Sequence, residues 1–258
     1  MSFILKTVSD NVAFITLNRP EKFNSFNREM ALALQQALDE CMRDDEVRAV
    51  YLTAEGKAFC AGQDLGEAVD PDGPTLRSIV HGHYNPIIER IRNIEKPVVC
   101  AVNGVAAGAG ANIALCCDIV VATEQATFIQ AFSKIGLIPD CGGTFFLPRL
   151  IGFQKASALM MMADNIDAKE AERLGMIYKY FSAETFVEES KKIALHLAKM
   201  PTKAFAYTKL ALNKTVTNNL AQQLAVEEEY QAACGETEDF DEGIQAFLEK
   251  RKPEFKGI

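Results

Sequence analysis

The chain has 258 residues, 48% hydrophobic and 24% charged, enough apolar material for a full core. A formal net charge of −8 provides no overall field for nucleic acid or an anionic membrane, so any anionic ligand requires a local basic patch. The apolar run near the N-terminus is too short for a signal or a membrane span, and the seven cysteines include no Cys-x-x-Cys, so a cytoplasmic protein with reduced, mostly buried thiols is expected.

Phe3 to Ser9 and Val12 to Leu17 flank Asp10-Asn11 in the pattern of a β-hairpin. A loop from Asn18 to Ser25 follows. Asn27 is a good N-cap, and Met30, Leu34, Ala37, Leu38 and Cys41 recur at helical spacing up to Met42. Val47 to Thr53 is the pattern of a buried strand, and 54–64 is a loop of small residues. Residues 66–83, with Pro71, Gly73, Pro74 and Gly82, predict an irregular excursion suited to a pocket lid, before a helix over Asn85 to Asn93.

Val98 to Val102 predicts a strand that empties into the glycine-rich turn Gly104 to Gly110, then an apolar helix over Ala111 to Cys117. Strands are predicted at Asp118 to Ala122 and Thr127 to Ile129, completing a strand, strand, helix rhythm. From Lys155 onward the pattern is almost wholly helical: Lys155 to Ala163, Asp167 to Leu174, Ala183 to Lys199, Thr202 to Val216, Asn219 to Cys234 and Thr237 to Arg251. Pro201 places the change from a mixed core, 1–200, to a helical region, 201–258.

The stretch from Phe128 to Thr144 is mostly apolar and ends in one acid, Asp140, between Pro139 and the pair Gly142-Gly143. Ile135, Leu137, Ile138, Phe145 and Phe146 are residue types that normally lie inside. A carboxylate among them would be partly desolvated, which raises its pKa toward the range useful for proton transfer. Pro-Asp-Cys-Gly is equally the pattern of a surface β-turn.

Two small-residue turns, Cys60 to Leu65 and Gly104 to Gly110, each follow a strand. Backbone N–H groups at such turns can point outward unpaired and together hold an oxygen that becomes negative, although each turn alone is explained by tight packing. Packing also accounts for Cys60 and Cys141, which have no histidine placed to activate them. His81-Gly-His83 lacks a third ligand at workable spacing, so no metal is expected. Met160 to Met162 fits a helix core, and Glu227 to Glu229 a solvated helix face.

Arg19-Pro20, Phe59 to Leu65, Asn103 to Gly110, Cys117-Asp-Ile119 and Gly136 to Gly143 together resemble the crotonase (enoyl-CoA hydratase/isomerase) superfamily, nearly end to end. The resemblance implies an α/β fold: a crotonase-like spiral of repeated ββα units with a C-terminal helical region used in trimer assembly. It also implies a homotrimer, or a dimer of trimers, acting on an acyl-CoA thioester. Coenzyme A would be part of the substrate, with no other cofactor. The oxyanion hole would be the N–H of Gln63 and the N–H of Ala109, so their side chains need not be polar.

The resemblance places the two glutamates of the hydratases at Asn112 and Phe132, where neither an amide nor a phenyl ring can activate water. Asp140 is the remaining acid, in the manner of the isomerase branch, where one carboxylate moves a proton between carbons. The other substrate or CoA positions implied are Ala61, Asp64, Leu65 and Gly108. The basic patch for the CoA phosphates would be Arg19, Lys22 and Lys57, with Lys250 from the same or a neighbouring subunit; ordinary solvated surface is the alternative for these cations. The acyl group expected is a ring-epoxidised phenylacetyl thioester, rearranged to an oxepin. The alternatives are Δ3 to Δ2 enoyl-CoA isomerisation, enoyl-CoA hydration, or a non-catalytic scaffold or RNA-binding member.

Overall fold

The structure, a computed structural model, describes residues 2–258. Strands β1 (Ile4–Ser9) and β2 (Val12–Leu17) form an antiparallel hairpin, with Asp10 and Asn11 both at positive φ as a two-residue turn requires. Helix α1 (Arg28–Arg43) starts where the Asn27 side chain accepts the Met30 N–H, and its apolar face, Met30, Leu34, Leu38 and Cys41, is buried.

From β3 onward successive strands divide between two sheets. Strand β3 (Ala49–Ala54) enters a large sheet and β4 (Ala58–Cys60) a small one. After the short helices α2 (Leu65–Ala68) and α3 (Leu76–Ser78), a π-turn (Ile79–Tyr84) and α4 (Asn85–Asn93), β5 (Val98–Val102) returns to the large sheet and β6 (Val105–Ala107) to the small one. Helix α5 (Ala109–Leu115) then leads to β7 (Ile119–Thr123) and β8 (Thr127–Ile129), divided in the same way. Helices α6 (Gly143–Ile151) and α7 (Phe153–Met162), β9 (Asn165–Asp167), α8 (Ala168–Arg173) and β10 (Lys179–Phe181) complete the mixed part. Helices α9 (Phe186–Leu197), α10 (Thr202–Lys214), α11 (Leu220–Gly235) and α12 (Glu238–Glu249) end the chain.

The large sheet has the order β1-β2-β3-β5-β7-β10 and the small one β4-β6-β8-β9, parallel except for β1–β2 and β8–β9. This alternation is the spiral that the resemblance implies, in agreement with the strand, strand, helix rhythm. It buries β5 on both faces, which is why Val98 to Val102 is uninterrupted by polar residues. One core lies under α1, α4 and α5; a second, with Val12, Tyr51, Val99 and Val121, is covered by Phe186 and Ala194 of α9 and by Ala198, which caps it. The Tyr51 and Ser190 hydroxyls meet at 2.8 Å in this second core.

Several predicted stretches are corrected. The loop 54–64 contains β4, and the excursion 66–83 is largely helical, its π-turn held by Gln35 Nε2, which donates to the Gly82 and His83 carbonyls. The part after Lys155 is not wholly helical, because β9 and β10 complete the two sheets. Helix α6 was not expected, since it opens on Gly142-Gly143 and carries Pro148.

Buried and partly buried charges tie the helical region to the sheets. Asp118 accepts hydrogen bonds from Arg92, Lys209 of α10 and the Val98 N–H. Arg48, just before β3, donates to the Met200 carbonyl, the Thr202 hydroxyl and the Phe255 carbonyl. Among the described residues no helix is long and apolar enough to cross a membrane, and all seven cysteines are free.

Candidate active site

The register of the small sheet places Cys60 beside Ala106, and Ala106 beside Phe128. The turns that leave β4, β6 and β8 therefore emerge at one edge, at the carboxyl ends of parallel strands, where α/β folds open their clefts. Gly110 is needed for this convergence: a Cβ there would lie 2.5 Å from Cys60.

Gly62 has φ +95°, and a Cβ on it would come 3.6 Å from the Ala109 nitrogen, so the Cys60 to Leu65 turn lies against the first residue of α5. Gln63 forms a single parallel bridge with Phe26: the Phe26 N–H donates to the Gly62 carbonyl and the Asp64 N–H to the Phe26 carbonyl. This alternation turns the Gln63 N–H away from Phe26. Ala109 N–H is the first of its helix and has no intrahelical acceptor. Among the described residues neither N–H donates to a protein acceptor. Two adjacent unpaired donors, one at a helix start, are what a developing oxyanion requires.

The Gln63 side chain is itself held by two hydrogen bonds. Tyr84 Oη donates to Gln63 Oε1 at 2.6 Å, and Gln63 Nε2 donates to Glu67 Oε2 at 3.0 Å. Glu67 in turn accepts the Arg28 N–H, so the clamp ends on α1. Tyr84 is 1% exposed, and burial, reinforced by negative groups nearby that include Asp140 and Glu67, pushes its pKa well above the ordinary phenol value. The phenol therefore stays a donor. Tyr84 and Glu67 are not among the predicted site residues, because their side chains meet Gln63 from opposite ends of the turn-rich segment only in the finished fold.

Asp140 lies on the loop between a 3₁₀ turn (Ala131–Ile135) and α6. It is half-buried, and its Oδ1 is shut off from solvent with no hydrogen-bond partner among the described residues. Burial pushes its pKa above the ordinary carboxylate value of 3.8, against lowering by the Cys141 thiol and its own backbone. The expected source of this burial was wrong, because Ile135, Leu137, Ile138 and Phe145 are exposed. The buried neighbours are instead Tyr84, Cys141 and Cys60, the groups that share its electrostatic surroundings. Both thiols are pushed up by burial, which keeps them protonated.

The remaining predicted residues fall into separate places. Gly108, at φ +54°, faces the Phe132 ring, which is 7% exposed. Asn112 is 1% exposed, with its amide between Gln130 and the Asp140 carbonyl. Asp64 caps α2 and pairs with Arg19 at 2.7 Å; Arg19 also donates to the Ser25 carbonyl. That guanidinium is mostly buried and bound within the fold, so of the cations predicted for a phosphate only Lys22, Lys57 and Lys250 are exposed. Ala61 and Leu65 are exposed at the mouth of the turn. His81 is exposed and His83 buried in the π-turn. A pocket of about 740 Å³ lined by Phe145, Phe146 and Arg149 of α6 and Phe205, Lys209 and Leu212 of α10 includes neither Asp140 nor Gln63.

A sequence profile described as Enoyl-CoA hydratase/isomerase matches residues 7–258. The chain is 47% identical over 260 residues to the 1,2-epoxyphenylacetyl-CoA isomerase of Escherichia coli K12, covering 100% of this chain and 99% of that protein. It is 35% identical to the trans-2-decenoyl-[acyl-carrier-protein] isomerase of Streptococcus mutans, covering 98% of each. The crystal structure of an enoyl-CoA hydratase from Polaromonas sp. JS666 superposes with a TM-score of 0.92 at 36% identity, covering 98% of this chain and 99% of that one. With the two-sheet spiral and the paired unbonded N–H groups, these matches place the chain in the enoyl-CoA hydratase/isomerase family, the crotonase superfamily.

Proposed function

We propose that the protein is an acyl-CoA isomerase whose substrate is a ring-1,2-epoxidised phenylacetyl thioester, converted to the seven-membered oxepin. The observation that carries this reading is Asp140: a half-buried carboxyl with a free oxygen and a raised pKa, on the loop joined through Asn112 to the helix that begins at Ala109. The similarity to the Escherichia coli isomerase supports the choice of acyl group. In this reading the thioester oxygen accepts from Gln63 N–H and Ala109 N–H, which acidifies the α-carbon and stabilises the dienolate. Asp140 takes a proton from one carbon and returns it to another two atoms away, and for the ring epoxide the same polarisation assists C–O cleavage and ring expansion. Atoms and oxidation state are conserved, so the reaction requires no redox cofactor, and the two N–H donors supply the carbonyl polarisation. Coenzyme A enters as part of the substrate, its phosphates near Lys22 and Lys57.

A place in phenylacetate catabolism, in the cytoplasm, follows from that substrate. Assembly as a trimer, or a pair of trimers, through the helical region 201–258 is supported by exposed Leu220, Leu224, Phe247 and Leu248 on α11 and α12, where water-facing apolar side chains need a partner. Light scattering checks this, since a stable, active monomer at micromolar concentration is incompatible with it. The functional test is a side-by-side assay of the ring-epoxide thioester, a 3-enoyl-CoA and crotonyl-CoA. The epoxide should turn over fastest. Hydration of crotonyl-CoA should be negligible, because Asn112 and Phe132 offer no carboxylate for water; turnover at about 1 per second or more would overturn the reading.

A further inference from the structure

We infer that Asn112 is a positioning residue: with Gln130 it forms a strut that fixes the Asp140 loop at a set distance from the Ala109 N–H, and it does not contact substrate. Gln130 Nε2 donates to Asn112 Oδ1 at 2.8 Å, and Asn112 Nδ2 donates to the Asp140 carbonyl at 2.9 Å. Asn112 and Gln130 are 1% and 2% exposed, so a ligand in the cleft cannot reach this amide without displacing the loop.

Both ends of the strut return to the oxyanion turn. Asn112 lies in the first turn of α5, three residues after Ala109, and its own N–H donates to the Gly108 carbonyl. Gln130 follows Ile129, whose carbonyl accepts the Gly108 N–H at 2.9 Å. At the far end, the Asp140 carbonyl also accepts the Gly143 N–H, so the acid loop and the start of α6 hang on one oxygen. The fit leaves no slack, since a Cβ on Gly143 would lie 2.3 to 2.9 Å from three atoms of the Asn112 amide. A longer side chain at 112 must therefore push the acid loop away. A carboxylate there also loses the donor that faces the Asp140 carbonyl.

This inference rests on Asp140 being the proton carrier, and its test separates the two. The probe is phenylacetyl-CoA, with exchange of its α-protons in D2O followed by NMR, alongside its Kd and amide hydrogen exchange at Gly143. Asn112→Asp should slow α-proton exchange roughly 30-fold, leave Kd within about threefold and reduce Gly143 protection about tenfold. Gln130→Met, which cuts only the outer end of the strut, should show the same pattern at lower amplitude and serves if the first variant folds poorly. Unchanged Gly143 protection overturns the strut, as does a loss confined to Kd. If Asp140→Asn exchanges at the wild-type rate, the proton-transfer role fails, while loss of Gly143 protection in Asn112→Asp still supports the strut.

Discussion

Asp64 and Asp140 both follow glycine- or proline-containing turns at one edge of the small sheet, yet they are opposite in character. Asp64 accepts from the Gly66 N–H at 2.9 Å and faces the Arg19 guanidinium at 2.7 Å. Burial acts to raise its pKa, but Arg19 and the Gly66 N–H outweigh it and hold the carboxyl below its ordinary value. Asp140 has a buried oxygen with no donor, and its pKa is raised. The difference teaches that burial sets the direction of a carboxyl's shift only where donors and an ion pair do not offset it: at Asp64 they do, and at Asp140 burial prevails over the Cys141 thiol and the residue's own backbone.

The most damaging way to probe this contrast is Asp140→Asn, which keeps volume and removes the base. Isomerisation should fall on the order of 100-fold or more, with acyl-CoA analogue affinity within roughly tenfold, and full activity in the folded variant would end the assignment. Asp64→Asn should do the converse. It keeps an N-cap but loses the Arg19 pair, so denaturant unfolding should show a loss of about 2 kcal/mol with turnover per folded molecule little changed. A variant inactive yet fully stable would give Asp64 a chemical role. Tyr84→Phe should lower turnover about fivefold to tenfold with Kd preserved, because Gln63 Oε1 loses its donor and the neighbouring N–H its fixed aim. Unaltered kinetics would make that clamp ornamental.

The gentlest probe is pH. Asp140 must be ionised to accept a proton, so kcat/KM should fall up to about tenfold per unit as pH drops through its raised pKa, above 3.8. Asp64 has a depressed pKa, so its contribution to stability is present above 3.8 and lost only as pH falls through the lower folded value. Activity should therefore disappear at a pH where the protein is still folded. Asp140 has the opposite sign: its raised pKa favours the fold at low pH and that contribution is lost as pH rises. Asp140→Asn should accordingly be no less stable than the parent at neutral pH, which a melting curve checks.

Long periodic elements were legible in the sequence because their signals are local. Asn27 capping α1, the Asp10-Asn11 turn and the apolar run of β5 each announce themselves within a few residues. Strands β4, β6 and β9 are three residues each, and their pairing is decided by partners far away in sequence, so no window holds their signal. The acid and the two donors were legible as turns and as a resemblance. The Tyr84–Gln63–Glu67 clamp and the Gln130–Asn112 strut were not, since each joins residues from separate turns through side chains whose direction depends on the finished fold. The misjudged flanks make the same point: Ile138 looks like an interior residue and is 81% exposed.

Arg48 has a consequence for how the chain is made. It joins the second repeat unit to residues 152 and 207 positions further on; burial lowers its pKa, but a guanidinium keeps its proton in a folded protein. During vectorial synthesis the first two-thirds of the chain can pair its strands while this guanidinium still lacks the carbonyls that satisfy it. Of its three acceptors the Phe255 carbonyl is made after Met200 and Thr202, a late contact of very high sequence separation. A chain truncated after Arg251 should thus be more open to protease around Arg48 than one that includes Phe255; equal resistance of the two would show that the fold is sealed elsewhere.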